Sequence, residues 1–166
     1  MRWIFFICFC AFFTCADAFA SEPVSVNGMA FRLEVDESSL SLGRIVLVSE
    51  LSNSSESVVN FTPFNTPLDD SLNGDFLDIV EADSKRRLHY MGRLVKRLPP
   101  LLSDSIRLKP TGVIRNNLDI SESYKFCANM KYRLAYSGSL YDINGYEIAV
   151  DAHEIEFETG SMFESC

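Results

Sequence analysis

The chain is 166 residues long and 47% hydrophobic, with fifteen Lys and Arg against twenty-three Asp and Glu, a formal net charge of −8 at pH 7. That balance excludes a nucleic-acid binder, which needs a basic face to meet phosphates.

Arg2, the apolar run Trp3–Phe13 and then Ala18-Phe19-Ala20 make up the charged, apolar and small-residue zones of a secretory signal peptide, expected over residues 1–20. An apolar run of that length falls well short of the roughly 20 residues a spanning helix needs, so no membrane association is expected after cleavage. Cys15 would be the lipid acceptor of a lipoprotein, but Phe12-Phe13-Thr14 is a poor run-up to a lipidated cysteine. The remaining chain, residues 21–166, has the size of one domain that buries about 68–70% of its unfolded surface. A secreted or periplasmic location follows. Two of the five cysteines, Cys127 and Cys166, lie outside the leader, and an even pair in an oxidising compartment suggests a disulfide. The alternative is a buried thiol at Cys127 and a frayed terminal Cys166.

Strand signals then recur at short intervals. Phe31, Leu33 and Val35 alternate with Arg32 and Glu34, and Arg44–Leu51 is almost continuously apolar, as in a central strand. A turn cluster at Asn53–Glu56 precedes Val58–Phe61. Asn65-Thr66-Pro67 followed by Asp69 and Asp70 is a capped turn: Thr66 suits an N-cap and Pro67 the first helical position, so about one helical turn is expected there. Strands are expected at Phe76–Glu81, Leu88–Met91, Ser105–Leu108, Leu118–Ile120 and Met130–Tyr136, with a second helical turn near Ser121–Tyr124. A closing hairpin is read as Tyr146–Val150 and His153–Glu158, with Ile155 and Phe157 on one face and glutamates on the other. No segment sustains a 3.6-residue apolar period. The pattern predicts an all-β fold, an immunoglobulin-like antiparallel β-sandwich of seven to nine short strands in one domain.

Catalytic and metal motifs fail on inspection. His153-Glu154-Ile155-Glu156-Phe157 begins like the zinc motif H-E-x-x-H, but Phe157 stands where the second imidazole belongs, and the segment alternates like a strand. His89 is the only other histidine. There is no Gly-rich phosphate loop and no G-x-S-x-G elbow, and Cys-His catalysis would need a free Cys127. Neither enzyme activity, a bound metal nor a cofactor is expected. Asn53-Ser54-Ser55 and Asn60-Phe61-Thr62 have the form of glycosylation sequons.

What remains is a recognition surface. Within Lys85–Lys109 there are eight Lys and Arg against one acid, Asp104, a net +7. The rest of the chain after the leader has six cations and twenty-one acids, a net −15. An island of one sign in a chain of the other suggests docking. The run Tyr90–Pro100 (YMGRLVKRLPP), together with Asn65-Thr66-Pro67-Leu68, resembles the N-terminal pro-domain of bacterial aspzincin (deuterolysin-like) zinc metalloendopeptidases, over roughly Phe64–Pro100. A weaker likeness continues through Ile106–Gly112 and Met130–Tyr136, and the catalytic part of the family is missing.

The resemblance implies an inhibitor that occludes the protease cleft in trans, monomeric when free, with an aspzincin-type endopeptidase as partner. It makes Asn65, Thr66, Pro67, Leu68, Gly92, Arg93, Leu94, Lys96 and Arg97 the candidate contacts. Enzymes of the family favour lysine at the cleaved bond, and their clefts are expected to be acidic. On this reading, Gly92 permits a bend, Pro99-Pro100 stiffen the exit, and a lysine held unproductively plugs the site. The plainer reading makes Arg93–Arg97 an ordinary strand with Leu94 inward and its cations paired with acids such as Asp78 and Glu81. On that reading the Asn65–Leu68 turn fixes register, with Leu68 plugging the sandwich end. A functional alternative is an immunoglobulin-like envelope, adhesion or assembly module with no protease partner.

Overall fold

The computed structural model describes residues 24–26, 28–142 and 147–166. The expected signal peptide lies outside them. Among the described residues, nine strands form two antiparallel sheets. The first sheet has the order β1-β2-β3-β7, made of Val24–Val26, Met29–Val35, Val46–Asn53 and Val113–Asp119. The second contains β4 (Val59–Thr62), β5 (Leu77–Glu81), β6 (Ile106–Leu108), β8 (Lys131–Asp142) and β9 (Glu147–Glu158). Strand β8 is its spine. One edge pairs with β9 from Lys131 to Tyr141, while the other takes β5 and then β4, which in turn pairs with β6. The result is the expected antiparallel sandwich.

The core lies between the inward faces. Phe31, Leu33 and Val35 of β2 and Leu47 and Leu51 of β3 meet Leu77 and Ile79 of β5, Tyr132, Leu134 and Leu140 of β8, and Ile155 and Phe157 of β9, all buried. Period-2 burial along β2 follows from the pleat, which sends successive side chains to opposite faces. Strand β3 occupies the expected central position between β2 and β7, but its burial also alternates, and two of its inward residues are polar. Ser49 donates to the Pro67 carbonyl at 2.8 Å. The Asn53 amide donates to the carbonyls of Ser57 (2.8 Å) and Leu108 (3.2 Å) and accepts from the Ser55 N–H at 3.0 Å. Burying polar groups is tolerable because each is hydrogen-bonded. The first sequon therefore has its acceptor asparagine inside the protein.

Four expectations are corrected. Leu88–Met91 is not a strand: isolated bridges at Val80–Arg87 and Tyr90–Tyr124, with single bonds from the Leu88 N–H to the Ile79 carbonyl (2.8 Å) and from the Met91 N–H to the Ser123 carbonyl (2.9 Å), replace a continuous ladder. The turns at Thr66 and at Ser121–Tyr124 are not helical. The α-helical turn among the described residues is α1 (Glu37–Leu40), where Asp36 Oδ1 caps the Ser38 N–H at 3.0 Å. At Asn65 the backbone is left-handed (φ 57°), and Pro67 lacks an N–H, which together hold the Thr66 region in successive tight turns. Finally, the closing hairpin is β8 with β9, each twelve residues long, rather than two short pieces within Tyr146–Glu158. Register advances from Leu134–Ile155 to Tyr136–Ala152, so β9 carries one extra residue there. That bulge shifts the phase of alternation and makes one long strand read as two.

Cys127 and Cys166 are disulfide-bonded, with Cα atoms 5.5 Å apart and a sequence separation of 39. The Ala128 N–H donates to the Glu164 carbonyl at 2.8 Å, so the bond ties the C-terminal segment to the body beside β8. No helix of the described residues is long and apolar enough to cross a membrane. A loop of that length gives a chain-entropy stabilisation on the order of 4 kcal/mol. Cys166→Ser is expected to lower unfolding free energy by about 2–4 kcal/mol in urea titrations, with no change in far-UV circular dichroism before the transition.

Candidate functional site

The two stretches that carry the pro-domain resemblance lie side by side. The loop 64–73 leaves β4 and folds back over the first sheet. Thr66 Oγ1 donates to the Pro63 carbonyl at 2.7 Å and accepts from the Leu68 N–H at 3.2 Å. Asn116 of β7 donates to the carbonyls of Pro67 (3.1 Å) and Asp69 (2.7 Å), beside the bond from Ser49. Thr66, Pro67, Leu68 and Asp69 are consequently buried, and only Asn65 of the Asn65–Leu68 turn is exposed. Leu68 joins the core. The turn holds β3, β7 and its own loop in register.

The segment that follows Leu88 is fastened to this loop. Tyr90 ends a row of ring contacts that runs from the core through Phe157, Tyr132, Phe126 and Tyr124. Its hydroxyl lies 2.9 Å from the Leu72 carbonyl and 2.8 Å from the Arg93 carbonyl, its proton shared between them. The ring folds over Gly92, where a Cβ would stand 2.5 Å from the Tyr90 oxygen. Gly92 is thus required by close approach. The same Tyr-x-Gly pairing recurs at Tyr136 and Gly138. Further on, the Val95 N–H donates to the Asn73 carbonyl at 3.0 Å.

Arg97 completes the attachment. Its Nη2 is 2.8 Å from Asp69 Oδ2, and its guanidinium stacks 4.0 Å over the Phe64 ring. The Asp69 side chain is only 8% exposed and that of Arg97 27%. Burial raises the Asp69 carboxyl above its ordinary value despite the attraction of Arg97 and backbone hydrogen bonding from Asn65. Arg97 is therefore a brace and not a free cation. The acids named for a plain strand are taken elsewhere: Arg86 pairs with Glu81 and Arg87 with Asp78 and Asp75. Hydrogen bonds from Arg86 and Ser84 hold the Glu81 carboxyl below its usual range.

Between and just past the brace points the chain stands exposed. Leu94 is 78% exposed, Val95 45% and Leu98 86%, so Leu94 points outward rather than inward. Arg93 and Lys96 are exposed and make no ion pair among the described residues. Leu101 and Leu102 extend the apolar surface past Pro99-Pro100. An open groove of about 710 Å³ runs along one flank, lined in part by Leu72, Asn73, Met91, Gly92 and Arg93. No cluster of His, Cys, Asp and Glu able to hold a metal occurs among the described residues. His89 is exposed and does not line this groove. Of the candidate contacts, Arg93, Leu94 and Lys96 face solvent together, Gly92 and Arg97 support them, and Thr66–Leu68 lie beneath. Leu98, Asp69 and Phe64 escaped the sequence reading. The acid at the end of the capped turn and the cation run downstream were visible, but their pairing across 28 residues was not.

Two consequences are measurable. Gly92→Ala is expected to cost about 1–3 kcal/mol by displacing the Tyr90 ring, seen as a lower urea midpoint with unchanged slope. Arg97→Met leaves a buried carboxylate without its cation. For this partly exposed pair the expected cost is about 1–3 kcal/mol. The cost has a pH signature. With its carboxyl raised in the fold, Asp69 destabilises the native state as pH climbs from its unfolded pKa through the folded one. Without Arg97 the folded value rises further. The gap between wild type and Arg97→Met is expected to be small below about pH 4 and to open above it. A gap independent of pH would remove Asp69 from the account.

No protein-family model matches this chain, and no curated protein matches it.

Proposed function

We propose that the protein is a stand-alone inhibitor of a secreted aspzincin-type zinc metalloendopeptidase, acting by steric occlusion of the active-site cleft. The observation that carries this reading is the exposed, unpaired Lys96 on a segment fastened at Tyr90, Val95 and Arg97. A segment held in one conformation before binding gives up less entropy on docking, which favours tight occlusion. Lys96 and Arg93 offer charge to an acidic cleft, while the surrounding domain, with its excess of acids, would be repelled from it. That asymmetry would orient the encounter. The inhibitor contributes no metal and performs no chemistry. It works in a secreted or periplasmic setting, in keeping with the Cys127–Cys166 bond.

The test is inhibition of a purified aspzincin-type endopeptidase acting on a lysine-containing substrate. Arg93→Ala/Lys96→Ala is expected to weaken inhibition by about tenfold or more while leaving the unfolding midpoint unchanged, because neither side chain is engaged within the chain. Arg97 is left intact, since its loss would loosen the fold. Wild-type inhibition should weaken between low and high salt, and the double variant should lose most of that sensitivity. Absence of wild-type inhibition would reject the reading and favour the envelope or adhesion module.

A further inference from the structure

We propose that Arg93–Pro100 engages its partner as an added β-strand, seating Lys96 in an acidic pocket between two apolar pockets that take Leu94 and Leu98. This deepens the inhibitor reading and rests on it. Three observations carry it.

The first is alternation. Exposure along the segment swings from 78% at Leu94 to 45% at Val95, and Leu98 reaches 86% after the half-buried Arg97. Val95, itself still exposed, is bonded to the body through its N–H and Arg97 turns to it, whereas Leu94, Lys96 and Leu98 stand in solvent. That is the period of an extended strand, which sets the three outward side chains roughly 6.6 Å apart. The outward row is apolar, cationic, apolar.

The second is the backbone. The Val95 N–H faces Asn73, so the N–H groups of its neighbours point to the opposite edge. Among the described residues, the amides of Leu94, Lys96 and Leu98 donate to no acceptor. An extended segment anchored on one side by the Val95 bond and open on the other is a template for strand addition, in which main-chain bonds supply affinity and alternate side chains supply selectivity.

The third is what the leucines require. Both stand largely in water on a braced segment, so burying them in a partner is favourable and carries no large ordering cost. A lipid surface fits less well. Open backbone amides find no acceptor in hydrocarbon, and a chain of net charge −8 is repelled by an anionic bilayer. A protein groove with its own strand edge and an acidic centre satisfies all three features.

The experiment uses the full mature chain and, as probe, a purified lysine-directed aspzincin-type zinc endopeptidase. Amide hydrogen exchange at Leu94, Lys96 and Leu98 is expected to slow at least tenfold in the complex. Leu94→Ser/Leu98→Ser should raise the inhibition constant at least tenfold, with an unchanged unfolding midpoint confirming the fold. Inhibition that persists in this variant, with exchange at the three amides unaltered, would overturn strand docking and leave the inhibitor reading standing. No inhibition by the wild type would overturn both. Binding of the wild type to phosphatidylglycerol vesicles that is lost in the double variant, with inhibition retained, would assign the leucines to a membrane and overturn the proposal.

Discussion

The contact between Arg97 and Asp69 is the constraint from which the exposed surface takes its shape. It joins two segments 28 residues apart, one buried in the end of the sandwich and the other bare to solvent. A carboxylate so little exposed is costly to keep charged, and only a cation set down beside it makes the loop 64–73 tolerable in that position. The guanidinium suits the task better than an ammonium, since it can lie flat on Phe64 while reaching the carboxylate. Tyr90 secures the other end through two carbonyls. Leu94 and Lys96 are held out from the body between these points, and Leu98 stands out just past Arg97.

This division of labour separates charge from function within the basic island. Of its arginines, Arg86, Arg87 and Arg97 hold down acids of the chain itself. The pairs of Arg86 and Arg87 stitch the turn after β5 to that strand, and the pair of Arg97 ties the exposed segment to the loop 64–73. The charge left over for a partner is smaller than the count of cations suggests: Lys85, Arg93, Lys96, Arg107 and Lys109 make no ion pair among the described residues, and of these Arg93 and Lys96 lie on the exposed segment. Counting cations alone would overstate the reach of the patch, because a paired charge contributes little field beyond its partner.

How far the fold could be read from the sequence depended on whether a signal was local. Alternation at Phe31–Val35 and at Ile155–Phe157 is a direct imprint of the pleat, and both segments are strands with those faces buried. The β9 bulge breaks the same imprint by one residue, which is why a twelve-residue strand looks like a hairpin. The turn at Thr66 carries helix-capping residues, yet tertiary bonds from Ser49 and Asn116 to the Pro67 carbonyl fix it as a turn. Such bonds come from strands 18 and 49 residues away and leave no periodic trace. The exposed segment was legible as basic and proline-stiffened. Its orientation was not, because a leucine between cations normally marks an inward face, and here the inward place is taken by Arg97.

The buried amide of Asn53 bears on how this protein can be made. Its nitrogen donates to two carbonyls, one of them on β6, and these bonds close the end of the sandwich between β3 and β4. The asparagine heads a sequon, and oligosaccharide transfer in a eukaryotic secretory pathway acts on chains before they fold. A sugar placed there would leave the nitrogen a single hydrogen and a bulky substituent that the closed sandwich end cannot admit. Production in a glycosylating host would select against the native state at the moment of synthesis. A host without that machinery would avoid the trap, as would Ser55→Ala, which abolishes the sequon and gives up the hydroxyl bond from Ser55 to Asn53 Oδ1 and the longer contacts of that hydroxyl with the Ser57 carbonyl and N–H.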